Sequence, residues 1–345
     1  MMDNSQFEAR PWWSYYAVYY ATFAWWILVL LACCMRLVCA GGKRQAVSFA
    51  GLFLILAPPL WYVPRGDLWV QAYNEQGATE GKDTSSLANE EAFYLQAELL
   101  ERQLGPLLSE RPGIEDLYFV GAALYARQDV FMKELKVIAD LFRERFDADG
   151  RALLLINNPK TVKEIPIASA TSLRRALAHV GKRMNPEEDI LFLYLTSHGS
   201  KKHQLSVDFW PLRLADIDPP LLKEILDESA IKWRVVVVSA CYSGGFIESL
   251  KDEHTMIATA ADSEHTSFGC SDDSDFTYLA KAYFDEELRR SFSFIEAFKR
   301  AQEAIRERET GQGHTPSNPQ LYVGEAIQPK LVRLEERLKG LAAQR

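Results

Sequence analysis

The chain has 345 residues, room for a small unit and one domain of ordinary catalytic size. With 48% hydrophobic and 25% charged residues it can fill a core, which excludes wholesale disorder. A net charge of −8, with no basic run or basic-aromatic stripe, excludes the electrostatic footprint of a nucleic-acid binder.

Residues 12–35 carry no charged side chain and are long enough to span hydrocarbon. A second apolar stretch, 46–63, is near the minimum spanning length and carries Pro58 and Pro59 towards its end. Aromatic residues cluster at the outer ends, Trp12, Trp13, Tyr15 and Tyr16 on one segment and Trp61 and Tyr62 on the other, as in interfacial belts. These features predict a two-span transmembrane hairpin over residues 1–64; the alternative is a buried core hairpin. Arg36, Lys43 and Arg44 lie between the spans, whereas the preceding tail has Asp3, Glu8 and only Arg10. The positive-inside bias then puts the connecting loop in the cytoplasm and everything after Val63 on the far side, in a bacterium the periplasm. The expected location is therefore the inner membrane, multi-pass. No basic leader precedes the first apolar run and a second run follows, a poor match to a cleaved signal peptide.

Residues 65–112 read as a connector, with a Gly-, Thr- and Ser-containing linker at 76–86 and an amphipathic helix at 87–108. Such a segment spaces the following domain from the bilayer or serves it as a lid. From residue 113 to 345 short apolar runs alternate with amphipathic stretches. The runs are 117–124, 152–156, 190–195, 235–238 and 256–260; the helices are predicted at 129–146, 169–184, 215–229, 244–252 and 276–308. Continuous apolar strands separated by helices predict a mostly parallel sheet buried on both faces, an α/β three-layer sandwich. A short strand at 321–323 and a charged helix from Lys330 complete it.

Functional groups of open parallel sheets collect past the carboxyl ends of the strands. Two such turns stand out: LFLYLTSHGS, which delivers His198 and Gly199, and WRVVVVSACYSGGF, which delivers Cys241 ahead of Ser243, Gly244 and Gly245. Neighbouring parallel strands lie about 5 Å apart, so the two ends can meet. A thiol needs a base or a polar setting at neutral pH. His198 would supply the base, a helix expected directly after Cys241 would favour the thiolate, and the amides of Gly199 and Cys241 are natural oxyanion donors. Taken singly, a cysteine after a valine run is more often a small core residue and a histidine at a strand end is usually structural. The joint pattern points to chemistry.

Of five cysteines, Cys33, Cys34 and Cys39 belong to the first apolar segment or its edge, leaving Cys241 and Cys270 in the soluble part. That is no disulfide framework, although a Cys241–Cys270 bridge would silence the thiol. His203, His254 and His265 form no HxxxH pair, CxxC is absent, and Asp272, Asp273 and Asp275 lack the EF-hand alternation. His179 and His314 read as surface residues. No Walker loop follows a strand, and a Cys-x5-Arg phosphatase motif fails at Ile247. Neither a metal nor another cofactor is expected.

Residues 117–282 resemble the legumain-type asparaginyl endopeptidases, which share the caspase-like fold. YLTSHGS resembles the family's strand-His-Gly-Ser motif, SACYSGGF its Cys-x-Ser-Gly motif, and ATAADSEHTSFGC the strand beyond. His198 also precedes Cys241 by about forty residues, close to the caspase spacing. The resemblance implies a Cys241–His198 dyad acting on a peptide or protein. It places Thr266 and Ser267 on an edge strand that pairs with substrate, Asp275 in the specificity pocket, and Arg127, offset by one position, as the pocket's basic residue. Legumains have Glu directly after the catalytic cysteine where this chain has Tyr242, so strict asparagine selection does not carry over. No side chain matches the group that orients the histidine, leaving a backbone carbonyl for that role. Attack on the acyl-enzyme by an amine would make the chain a transpeptidase or ligase. A catalytically silent, membrane-tethered binding protein is the alternative from another class.

Overall fold

The computed structural model describes Trp25, residues 90–271 and residues 273–344. The chain divides into two compact units, residues 1–82 and 83–345. Among the described residues no helix is long and apolar enough to cross a membrane. Apart from Trp25, the predicted spans at 12–35 and 46–63 and the linker at 76–86 lie outside the described residues.

In the second unit, β1 (Leu117–Ala123), β2 (Ala152–Ile156), β3 (Ile190–Thr196), β4 (Trp233–Ser239), β5 (Thr255–Thr259) and β6 (Gln320–Val323) form one sheet in the order β2-β1-β3-β4-β5-β6. The first five are parallel, and β6 runs antiparallel to β5. All seven residues of β1 and of β3 are buried. That is why these strands read as unbroken apolar runs: alternate residues enter two different cores. Phe119, Phe192, Tyr194, Val235 and Val237 face one, and Tyr118, Val120, Leu193, Val236 and Val238 the other.

The helices supply the outer layers. α1 (Glu90–Leu104), α3 (Ala170–Arg183), α4 (Pro219–Glu228) and the single turn α5 (Ile247–Leu250) contribute to one core. α2 (Asp129–Arg145), α6 (Phe294–Gly311) and α7 (Ile327–Ala342) contribute to the other. Helix α1 also covers the edge of the sheet, where the Gln103 Oε1 accepts the Leu154 N–H at 2.9 Å. The predicted three-layer, mostly parallel α/β architecture is therefore present.

Three helix boundaries differ from the sequence reading, each for a local reason. α4 begins at Pro219 because the Asp218 carboxylate caps it, accepting the Leu221 N–H at 3.0 Å, and proline suits the first helical position. The stretch 276–308 is two pieces, a π-helical segment Ala280–Glu287 and α6, which restarts when the Ser293 hydroxyl accepts the Glu296 N–H. The helix expected after Cys241 is a 3₁₀ turn, Ser243–Phe246, running into the four residues of α5.

Phe142 joins α2 to the sheet: its ring centroid lies 4.5 Å from both Phe119 and Phe192 and 4.9 Å from Phe146. Phe142→Ala is expected to lower unfolding stability by about 3–5 kcal/mol, read from the shift of a denaturant midpoint. A loss under about 1 kcal/mol would mean that this aromatic cluster is not a determinant of the core.

Candidate active site

The register of β3 and β4 ends with Thr196 opposite Ser239, and the Ser197 N–H donates to the Ser239 carbonyl at 3.2 Å. His198 and Cys241 stand two residues beyond the members of that last rung. Past it the two chains stay in contact. A Cβ at Gly199 would sit 2.0 Å from the Cys241 carbonyl oxygen and 3.1 Å from its nitrogen, so only glycine permits the approach. Among the described residues the amides of Gly199 and Cys241 have no hydrogen-bond acceptor. Two backbone donors on neighbouring strand ends are thus free to receive a developing oxyanion.

His198 is half-buried, with Tyr125 and Phe131 against its ring edge-to-face at centroid distances of 4.6 and 5.3 Å. Its Nε2 lies 2.6 Å from the Gln128 Oε1. With that amide oxygen as acceptor, Nε2 carries the proton and Nδ1 is left as the basic nitrogen. Burial holds the imidazole pKa below the usual histidine value, because the neutral ring is favoured away from water. Gln128 occupies the N-cap of α2 in an extended conformation yet its side chain makes no capping bond. It is committed to the histidine instead. The expectation that a backbone carbonyl orients His198 is corrected accordingly, and Tyr125, Gln128 and Phe131 join the site.

Cys241 is a free, half-buried thiol, and Cys270 is also free. The Cys241 Sγ accepts the Ser267 N–H at 3.3 Å and lies 3.6 Å from the Ser267 carbonyl oxygen. With only a 3₁₀ turn and one α-turn behind it, the sulfur gains that single amide in place of the field of a long helix. Tyr242 takes the left-handed conformation, φ 57° and ψ 20°. Its N–H donates to the His265 carbonyl at 2.9 Å, and its carbonyl accepts the His203 Nδ1–H at 3.0 Å and the Gly245 N–H at 3.3 Å.

Thr266 and Ser267 do not lie on an edge strand: the described residues of 260–276 contain no strand, and β6 occupies the flank of β5. The cause is Asp262. Its carboxylate gathers the backbone N–H groups of Glu264 and His265, the His265 Nδ1–H at 2.7 Å and the Asn318 Nδ2–H at 3.1 Å, turning the chain back upon Cys241. Ser267 therefore reaches the thiol, with Thr266 beside it in the chain. Arg127 is exposed and paired through two contacts, 3.2 and 2.8 Å, with Asp208. It lines a cavity of about 340 Å³ with Asp129, Asn158 and Lys160, past the carboxyl ends of β1 and β2. Asp275 is exposed and ion-paired to Lys133 at 3.0 Å. Of the remaining histidines, His179 bonds Arg183, His254 packs on Trp233 and His314 stacks on Phe268. Asp272 lies outside the described residues.

Residues 174–330, which contain both strand ends, match the Peptidase C13 family. No curated protein matches the chain. Among solved structures, Caspase-1 from Spodoptera frugiperda is similar over 61% of this chain and 86% of that one, at 12% identity and a TM-score of 0.42.

The His198 environment can be titrated directly. By NMR its imidazole should protonate with a midpoint below about 6.5. Gln128→Glu places a carboxylate against Nε2 and should raise that midpoint by about one pH unit or more. An unchanged midpoint in this variant would show that residue 128 does not contact the ring in solution.

Proposed function

We propose that this chain, whose residues 174–330 match the Peptidase C13 family, is a legumain-type cysteine peptidase that cleaves peptide bonds through a Cys241 thioester, with His198 as general base and then general acid. The observation that carries this reading is the contact of the two strand ends, Gly199 against the Cys241 peptide, with both amides unpaired among the described residues.

In the first half-reaction the His198 Nδ1 takes the thiol proton as sulfur attacks the scissile carbonyl carbon. The carbonyl oxygen becomes anionic and is received by the amides of Gly199 and Cys241. Collapse of the adduct breaks the carbon–nitrogen bond, and the imidazolium returns its proton to the leaving amine. In the second half, water attacks the thioester and gives a proton to His198; collapse expels the Cys241 thiolate, which recovers that proton. Gln128 keeps the ring in one tautomer through both halves. Arg127, Tyr242, Thr266, Ser267 and Asp275 would contact the substrate on the sequence resemblance. Of these Ser267, at 3.3 Å from the sulfur, has the firmest geometric support.

Cys241→Ala should abolish labelling by a peptidyl electrophile, and His198→Ala should lower kcat/KM by about 10³-fold or more while leaving the protein folded. Full labelling of the Cys241→Ala variant would refute the assignment.

The chain is further proposed to be anchored in a bacterial inner membrane by residues 1–64, with the peptidase domain in the periplasm. The charge-free stretch 12–35 and the basic loop at Arg36, Lys43 and Arg44 support this. A phosphatase reporter fused to the C-terminus should be active and a β-galactosidase fusion inactive; the reverse pattern would place the domain in the cytoplasm.

A further inference from the structure

Glu134 lies on the inner face of α2 and is wholly buried, in a helix face otherwise built of Val130, Phe131, Leu135 and Ile138. Its Oε1 accepts the hydroxyls of Tyr194 at 2.8 Å and Thr196 at 2.5 Å, and its Oε2 accepts the Thr277 N–H at 2.8 Å. The Thr277 hydroxyl in turn stands 3.2 Å from the Ser239 Oγ and accepts the Ala280 N–H at 3.2 Å. Burial pushes the Glu134 carboxyl above the usual carboxylate range. For stability alone an apolar residue would avoid that desolvation. What it could not do is accept three directional hydrogen bonds and so tie its own helix to two other pieces of chain, β3 and the Thr277 segment.

Those pieces are the ones that carry the site. Thr196 and Ser239 form the last rung of β3 with β4, two residues before His198 and Cys241. Thr277 closes the segment that brings Ser267 to the sulfur, and α2 begins beside Gln128 and Phe131, which hold the imidazole.

We propose that Glu134 is a positioning residue of the active site, fixing the His198 strand tip through Thr196 and the Cys241 strand tip through Thr277 and Ser239. It touches no reacting atom; it sets the separation and aim of the two groups that do. This inference rests on the Cys241–His198 reading and deepens it.

The test compares two electrophiles on the full-length protein, with modification read by mass spectrometry on the Cys241 peptide. Iodoacetamide reports an accessible, ionisable thiol and needs no carbonyl held against the oxyanion donors. A mixed-sequence peptidyl acyloxymethyl ketone also requires the oxyanion donors and the imidazole in place. Thr196→Val removes one donor to Glu134 at nearly constant shape, Thr196→Ser restores it, and Glu134→Gln breaks the symmetry of the acceptor pair. The ketone rate should fall by about tenfold to 100-fold in Thr196→Val and Glu134→Gln. The iodoacetamide rate should fall by a much smaller factor than the ketone rate, and Thr196→Ser should recover the ketone rate. If Glu134→Gln does not fold, the Thr196 pair alone carries the test. Folded variants that react with the ketone at the wild-type rate would overturn the proposal and leave the dyad reading standing. A wild-type protein that the ketone does not label at Cys241 would overturn both.

Discussion

Parallel pairing of β3 with β4, in a register that closes on Thr196 and Ser239, delivers His198 and Cys241 to the same carboxyl end of the sheet. The two strands approach further than ordinary pairing demands, because Gly199 has no side chain to hold it off the Cys241 peptide. Every other feature of the site elaborates this contact. The amides are unpaired because the chains stay in contact after the rung without closing another ladder bond. The sheet itself cannot slip by one residue without sending Phe192 and Tyr194 into the opposite core. The core's side-chain alternation thereby fixes the register that the chemistry uses.

A neutral amide, Gln128, holds the Nε2 of His198, the orienting role that a carboxylate on Nδ1 plays in a serine-protease triad. The difference has a direction. A carboxylate would stabilise the imidazolium and raise its pKa, whereas an amide only fixes the tautomer, and burial then lowers the pKa. A thiol tolerates this weaker base because its own pKa, near 8.5, lies far below that of a serine hydroxyl. The protein therefore shifts towards acid the range in which its base is neutral, at the cost of proton affinity the thiol does not need.

Much of the fold could be read from the sequence, because strands covered on both faces must be apolar throughout. The runs at 152–156 and 190–195 fall on β2 and β3 almost to the residue. Strand order is another matter. Nothing in the linear pattern says that β1 lies between β2 and β3, and Gln128 reaches His198 only because β1 is that neighbour. Its signal was available in one form: a residue just past the carboxyl end of an apolar strand, with a side chain unsuited to capping the helix it begins. The geometry of 260–276 was less legible. It depends on one carboxylate, Asp262, collecting donors from its own turn and from Asn318, more than fifty residues on. Glu134 illustrates the same barrier, since a glutamate inside an amphipathic helix looks like any solvated charge until its three donors are assembled.

Tyr242 shows how the sulfur is aimed. A bulky residue at φ 57° is disfavoured, and it persists because the surroundings hold it from both sides. The His265 carbonyl takes its N–H, while its own carbonyl receives the Gly245 amide and the His203 ring, for which Gly245 leaves the space. His203 is itself left-handed, φ 58°, so two strained residues brace each other across the turn. That strain sits one peptide from Cys241 and pins the plane to which its carbonyl belongs. On the proposed mechanism the oxyanion donors must be oriented before substrate arrives, because a donor that reorients during attack spends part of its stabilisation on its own movement. A turn held on both sides of Tyr242 fixes the peptide next to that of the Cys241 donor, without a long helix behind the nucleophile.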